Sequence, residues 1–173
     1  MKVLAFGASN NKQSINQQLA HYAAKQVPNA DITMLDIDSL EMPIFSDERE
    51  KLLGQPEQAQ AFYKAIGEAD LVIISFAEHN GSYTAAYKNV FDWTSRINMQ
   101  VFQNKPVIML ATSPGPGGAS SVLAAASGSA PYFAADVKGS ISLPSFFDNF
   151  DMAEQKVTNE EFNSQLLNVI ETL

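Results

Sequence analysis

Two short apolar runs, Val3-Leu4-Ala5-Phe6 and Leu71-Val72-Ile73-Ile74, each give way to small hydrogen-bonding residues and then to a helical pattern. A run this short, apolar throughout and bounded by turn residues, reads as a strand buried on both faces. The segments that follow are Gly7-Ala8-Ser9-Asn10-Asn11-Lys12-Gln13-Ser14-Ile15-Asn16 and Glu78-His79-Asn80-Gly81-Ser82. Open parallel sheets bind ligands at this end of their strands, in the loops that lead into helices. The two segments together therefore predict a cofactor site.

The rest of the chain continues the alternation, with no repeat, linker or low-complexity tract. Ile15, Leu19, Tyr22 and Ala23 form one helical stripe after the first strand. A second strand is expected near Ile32 to Leu35, followed by an irregular stretch through Pro43 and an exposed loop at Phe45-Ser46-Asp47-Glu48, read as a solvated turn, with a loop that reaches the site as the alternative. A helix after Pro56 aligns Ala59, Phe62, Tyr63 and Ile66, and Leu71 to Ser75 is the third strand. The helix after Ser82 carries Val90, Phe91 and Trp93. Its Lys88 and Asp92, four apart, can pair on one face, while Trp93 suits a core or a subunit interface. Val107 to Ala111 is the fourth strand, Ala119 to Ala126 a helix, and Val137 to Leu143 the fifth strand. Thr158 with Glu161 predicts the cap of a last helix burying Phe162, Leu166, Val169 and Ile170. Strands separated by helices imply a parallel α/β sheet.

The first loop has the chemistry of an anion cradle. Ser14 with Gln17 reads as a capping box, so the unpaired amides of the following helix point back at the loop, and its dipole favours a negative group there. Ser9, Asn11, Ser14, Ile15 and Asn16 supply side-chain or backbone donors, and Lys12 the one full positive charge. The alternative is an ordinary strand-to-helix turn in which Ser and Asn merely cap. A nucleoside-triphosphate loop is excluded, because Asn11 stands where that pattern requires Gly before Lys12.

The second segment carries a resemblance. Glu78-His79-Asn80-Gly81-Ser82-Tyr83 followed by Lys88-Asn89-Val90-Phe91-Asp92-Trp93 resembles the NAD(P)H-dependent FMN reductase family of flavodoxin-like quinone, azo-dye and chromate reductases. Ser9, Ser14 and Asn16 fall on that family's first-loop Ser, Ser and Asn. The chain departs from the pattern at Ala8, Asn11, Ala77, His79 and Thr84-Ala85, where the family usually has Gly, Arg, Pro, Tyr and Pro-Gly. The resemblance implies a flavodoxin-like, doubly wound, five-stranded parallel sheet with helices on both faces, a single FMN-binding domain over residues 1–173. Hydride would pass from NADPH or NADH to FMN and on to a quinone or similar small-molecule acceptor; the alternative is an FMN-binding electron carrier without direct NAD(P)H reactivity. Ser9, Asn11, Lys12, Ser14, Ile15 and Asn16 would hold the phosphate. Glu78, His79, Asn80 and Gly81 would position the ring, with His79 either tuning it or facing water. A homodimer or homotetramer is also implied.

A third loop, Thr112-Ser113-Pro114-Gly115-Pro116-Gly117-Gly118, follows the fourth strand. Its glycines allow close backbone approach and its prolines limit its freedom. Ser120 in the third glycine position rules out a dinucleotide fingerprint. A plain turn is the competing reading; the resemblance implies that Ser113, Pro114, Gly115, Pro116 and Gly117 border the isoalloxazine ring.

Composition narrows the remaining classes. The 173 residues, 46% of them hydrophobic, suit one sizeable core, and a formal charge of −8 with no basic patch opposes nucleic-acid and anionic-membrane binding. The absence of cysteine excludes disulfides, thiol chemistry and thiolate metal sites. No metal site and no catalytic side-chain nucleophile are expected. The four-residue apolar run after Met1-Lys2 is too short for a signal-peptide core, so a cytoplasmic location is expected. A phosphate-receiving signalling domain of the same topology needs acidic residues at the strand ends, and Phe6-Gly7 and Ser75-Phe76 supply none.

Overall fold

Five parallel strands form one sheet in the order β2-β1-β3-β4-β5, as seen in a computed structural model that describes residues 1–173. The strands are β1 (Lys2–Ala8), β2 (Asp31–Met34), β3 (Leu71–Phe76), β4 (Pro106–Thr112) and β5 (Asp136–Leu143). Between them lie α1 (Ile15–Lys25), α2 (Asp47–Leu53), α3 (Glu57–Glu68), α4 (Ala85–Ile97) and α5 (Ser120–Ser129). After β5 come a short turn of helix α6 (Phe146–Asn149), the small antiparallel pair β6 (Phe150–Asp151) and β7 (Lys156–Val157), and α7 (Glu160–Ile170). Order and helix placement are those of the flavodoxin-like doubly wound fold.

The central strands are apolar over most of their length because both faces are covered. Leu4, Phe6, Val72, Ile74, Val107 and Met109 pack against α3, α4 and α5, whereas Val3, Ala5, Leu71, Ile73, Ile108 and Leu110 pack against α1 and α7. Successive residues thus serve opposite cores, the period-two rule of a strand. The register sets the strand ends level: Ala8 lies beside Phe76, and Phe76 beside Ala111. The three loops that follow β1, β3 and β4 consequently leave the sheet side by side.

Several local expectations change. Phe45-Ser46-Asp47-Glu48 is not a solvated turn: the Ser46 hydroxyl accepts from the Arg49 amide at 3.2 Å and starts α2. Phe45 meets Trp93 edge-on, with ring centroids 5.1 Å apart. Trp93 itself is fully buried and donates to the Pro43 carbonyl at 2.7 Å, placing it in the core of the chain. The last helix is capped by Asn159, which accepts from the Phe162 amide at 2.9 Å, in place of Thr158. Asn fits the cap as well as Thr does, and the helix starts one residue later than expected. Residue Ala119 is left-handed, with φ +58°, so α5 begins at Ser120 and runs on to Ser129.

Candidate functional site

The first loop turns sharply from β1 into α1, and Gly7 makes the turn possible. A Cβ there would lie 2.5 Å from the Gln17 nitrogen, so only glycine lets the first turn of α1 rest on the end of β1. Ser14 caps the helix by accepting from the Gln17 amide at 3.2 Å. Gln17 does not complete a capping box. Its side chain instead accepts from the Gly7 amide and donates to the Leu35 carbonyl at 3.1 Å, joining β1 to the chain after β2. Within the loop, Ser9 Oγ accepts from the Asn11 amide at 3.1 Å and Asn11 Oδ1 from the Gln13 amide at 2.9 Å. These turns leave the backbone N–H groups of Lys12, Ile15 and Asn16 without an acceptor in the protein. Ser9 and Ser14 are buried beside them, while Asn11 is exposed.

Lys12 reaches into solvent, 83% exposed, with its Nζ 3.9 Å from Asp38 Oδ2. Asn16 has a different part. It is 3% exposed and fully engaged: Nδ2 donates to the Thr112 carbonyl at 3.1 Å, and Oδ1 accepts from the Thr112 amide at 3.1 Å and from Ser75 Oγ at 2.7 Å. Its side chain therefore ties α1 to the ends of β3 and β4, leaving its backbone amide as the free donor. This role is invisible locally, because Asn16 and Thr112 are 96 residues apart.

The second loop folds back at His79-Asn80-Gly81-Ser82. The His79 amide donates to the Ser82 carbonyl at 2.9 Å and the Ser82 amide to the His79 carbonyl at 3.1 Å. Asn80 and Gly81 between them have φ +53° and +77°, the pair of positive values that an Asn-Gly turn of the primed type requires. His79, Asn80 and Gly81 are exposed, and the Gly81 position is open, with no atom within 4 Å of a Cβ placed there. Glu78 points the other way, its carboxylate accepting from the Val122 amide at 2.9 Å in the first turn of α5. Since no side chain of its own caps α5, Glu78 supplies that cap from the neighbouring loop. Thr84 ties the loop to β1: its hydroxyl donates to the Ala8 carbonyl at 2.9 Å and accepts from the Tyr87 amide at 3.2 Å.

The third loop is held from below. Ser113 and Gly115 carbonyls accept from the Phe146 and Ser145 amides, each at 3.0 Å, and Ser113 Oγ donates to the Gly115 carbonyl at 3.2 Å. Pro114, Pro116 and Gly117 are exposed along its rim. The sequence-predicted residues thus share one edge of the sheet. Asn16 and Glu78 serve by side chain as braces between the loops, Ser9 and Ser14 are buried, and Asn11, Lys12, His79, Asn80, Gly81, Pro114, Pro116 and Gly117 are exposed.

Residues 1–148 match the NADPH-dependent FMN reductase family. The chain belongs to that family. A 2-hydroxy-1,4-benzoquinone reductase from a Burkholderia species is 33% identical over 116 residues, 66% of this chain and 62% of the relative. An NADPH:quinone oxidoreductase from Arabidopsis thaliana is 32% identical over 122 residues, 68% of this chain and 61% of the relative. The match therefore spans about three fifths of the length of these relatives. The fold is that of a flavoenzyme NAD(P)H:(acceptor) oxidoreductase from Paracoccus denitrificans, with a TM-score of 0.76 at 24% identity, covering 99% of this chain and 93% of that one. An FMN reductase of this family needs room for a phosphate and a flat ring at the strand ends. The donors of this edge fit: its first loop offers free amides and two hydroxyls and contains no carboxylate.

Proposed function

We propose that this chain is an FMN-dependent NAD(P)H oxidoreductase that reduces a quinone or similar small-molecule acceptor. The observation that carries the reading is the cluster of unpaired amides at Lys12, Ile15 and Asn16, between the buried hydroxyls of Ser9 and Ser14, beside two further loops on the same sheet edge. Ser9, Asn11, Lys12, Ser14, Ile15 and Asn16 would hold the phosphate, with Lys12 free to swing from its weak, exposed pairing with Asp38. Residues 78–81 and 113–117 would border the ring, the exposed Asn80-Gly81 turn on one side and the Pro114–Gly117 rim on the other.

FMN, when bound, would supply the redox chemistry, two-electron transfer between a nicotinamide and the acceptor. The protein's part is orientation and electrostatic support. Glu78, Thr84 and Asn16 hold the loops at fixed spacing, so that little reorganisation accompanies binding. We take residues 1–173 as one FMN-binding domain, cytoplasmic and working as a homodimer or homotetramer; no helix is long and apolar enough to cross a membrane. The test is the absorption spectrum of the purified protein with FMN, before and after anaerobic NADPH or NADH, followed by addition of a quinone. Bleaching, then reoxidation over many turnovers, is expected. Flavin that binds but stays oxidised with excess nicotinamide would establish the electron carrier instead.

A further inference from the structure

Turning a quinone into a hydroquinone adds two electrons and two hydrogens, and a hydride brings only one of the hydrogens. The other must arrive as a proton, and an acid held at the acceptor lowers the barrier to that transfer. The three loops offer few acids. Among residues 7–16, 77–84 and 112–118 the ionisable side chains are Lys12, Glu78, His79 and Tyr83. Lys12 extends into solvent beside Asp38, and the Glu78 carboxylate accepts from the Val122 amide at 2.9 Å. Tyr83 turns into the helix layer, its ring 6.0 Å from that of Phe76 and its hydroxyl 3.4 Å from Ser129 Oγ.

His79 is different. It is exposed, and its hydrogen bonds are those of its backbone: its amide and carbonyl both pair with Ser82, at 2.9 and 3.1 Å. The turn between them is set by the positive φ angles of Asn80 and Gly81, and the loop is anchored at both ends by Glu78 and Thr84. An imidazole is thus presented at the sheet edge on a fixed base with its ring uncommitted. Imidazole is the side chain that exchanges a proton near neutral pH without special surroundings. A tyrosine, usual in the family at this position, carries a far weaker acid.

We propose that the His79 imidazolium donates the second proton to the quinone, as a catalytic acid that this chain has in place of the usual tyrosine. The proposal rests on the redox reading above. The hydride which that activity delivers makes one O–H bond of the hydroquinone. The other O–H bond forms as a ring N–H bond of His79 breaks, and the neutral imidazole regains its proton from water.

The test starts from the FMN-loaded chain reduced with dithionite, so that no nicotinamide is needed. Reoxidation by tetramethyl-1,4-benzoquinone, which takes up protons, is compared with reoxidation by ferricyanide, which takes up none, at high salt to screen charge effects. In His79→Gln the ratio of the quinone rate to the ferricyanide rate should fall about a hundredfold, and added imidazole should restore much of it. A second readout involves no turnover. The chain has two histidines, so the ring NMR signal that His79→Gln removes belongs to His79. That signal should shift when the quinone is added to the oxidised, FMN-loaded protein. The proposal fails if His79→Gln leaves the ratio unchanged, if imidazole does not restore it, or if the quinone does not move the His79 signal. Flavin that dithionite bleaches but excess NADPH and NADH leave oxidised refutes the proposed reductase, and the rate ratio still decides the role of His79. Flavin that a nicotinamide bleaches, with an unchanged ratio, refutes the role of His79 alone. A chain that takes up no FMN overturns both.

Discussion

In the proposed reading, Asn11 and Lys12 would share the phosphate-binding task of the Arg that the family usually has at position 11. A guanidinium grips phosphate with two parallel hydrogen bonds, whereas Lys12 offers a point charge on a solvated stem, 83% exposed and near Asp38. Asn11→Arg should therefore tighten FMN binding about tenfold, and Lys12→Ala should loosen it and flatten its salt dependence; fluorescence titration at low and high salt measures both. Equal affinities for wild type and both variants would place the phosphate elsewhere. Asn16 predicts a different result. Asn16→Ala leaves the Thr112 amide and Ser75 hydroxyl buried without their partner, and a loss of about 1 to 3 kcal/mol is expected in urea unfolding, together with weaker FMN binding. The importance of Asn16 was legible in the sequence through its family position, but its side-chain partners were not. They lie on strands whose approach to α1 depends on sheet order.

Among the elements, the second loop stands apart because its shape rests on two positive φ angles and one pair of backbone hydrogen bonds. A Cβ at Gly81 has no protein atom within 4 Å, so the penalty for a β-branched residue comes from backbone strain at φ +77°. Gly81→Val should lower stability by about 1 to 3 kcal/mol and weaken FMN binding, while Gly81→Asn, which tolerates the left-handed region, should keep most of both. Thermal melts and FMN titrations of the pair separate turn geometry from side-chain bulk; identical behaviour of the two would exclude backbone strain. At the last helix, Asn159→Ala should cost about 1 kcal/mol and Thr158→Ala far less, since the Asn159 side chain is the one that accepts from Phe162. The sequence placed this helix correctly but not its cap, because Thr158 and Asn159 are both good caps and adjacent. The choice between them follows from β7, whose pairing with β6 sets where the chain turns.

For the whole molecule, the level strand ends of β1, β3 and β4 bring three loops into one cluster, and a ligand held by all three should couple to global unfolding. FMN at a hundred times its Kd should stabilise the chain by about 2.7 kcal/mol, seen as a rise in melting temperature that grows with the logarithm of FMN concentration. A melting temperature indifferent to FMN would contradict binding to the folded chain. The sequence by itself determined the alternation of strands and helices, the parallel sheet and the loops that border its edge. Those features depend on local patterns: apolar runs covered on both faces, helical stripes and turn residues. The tertiary structure decided the braces, namely Asn16 reaching Thr112, Glu78 capping α5, and Gln17 joining Gly7 to Leu35. A side chain's partner is set by which distant backbone groups the register brings within about 3 Å, and no local pattern carries that distance.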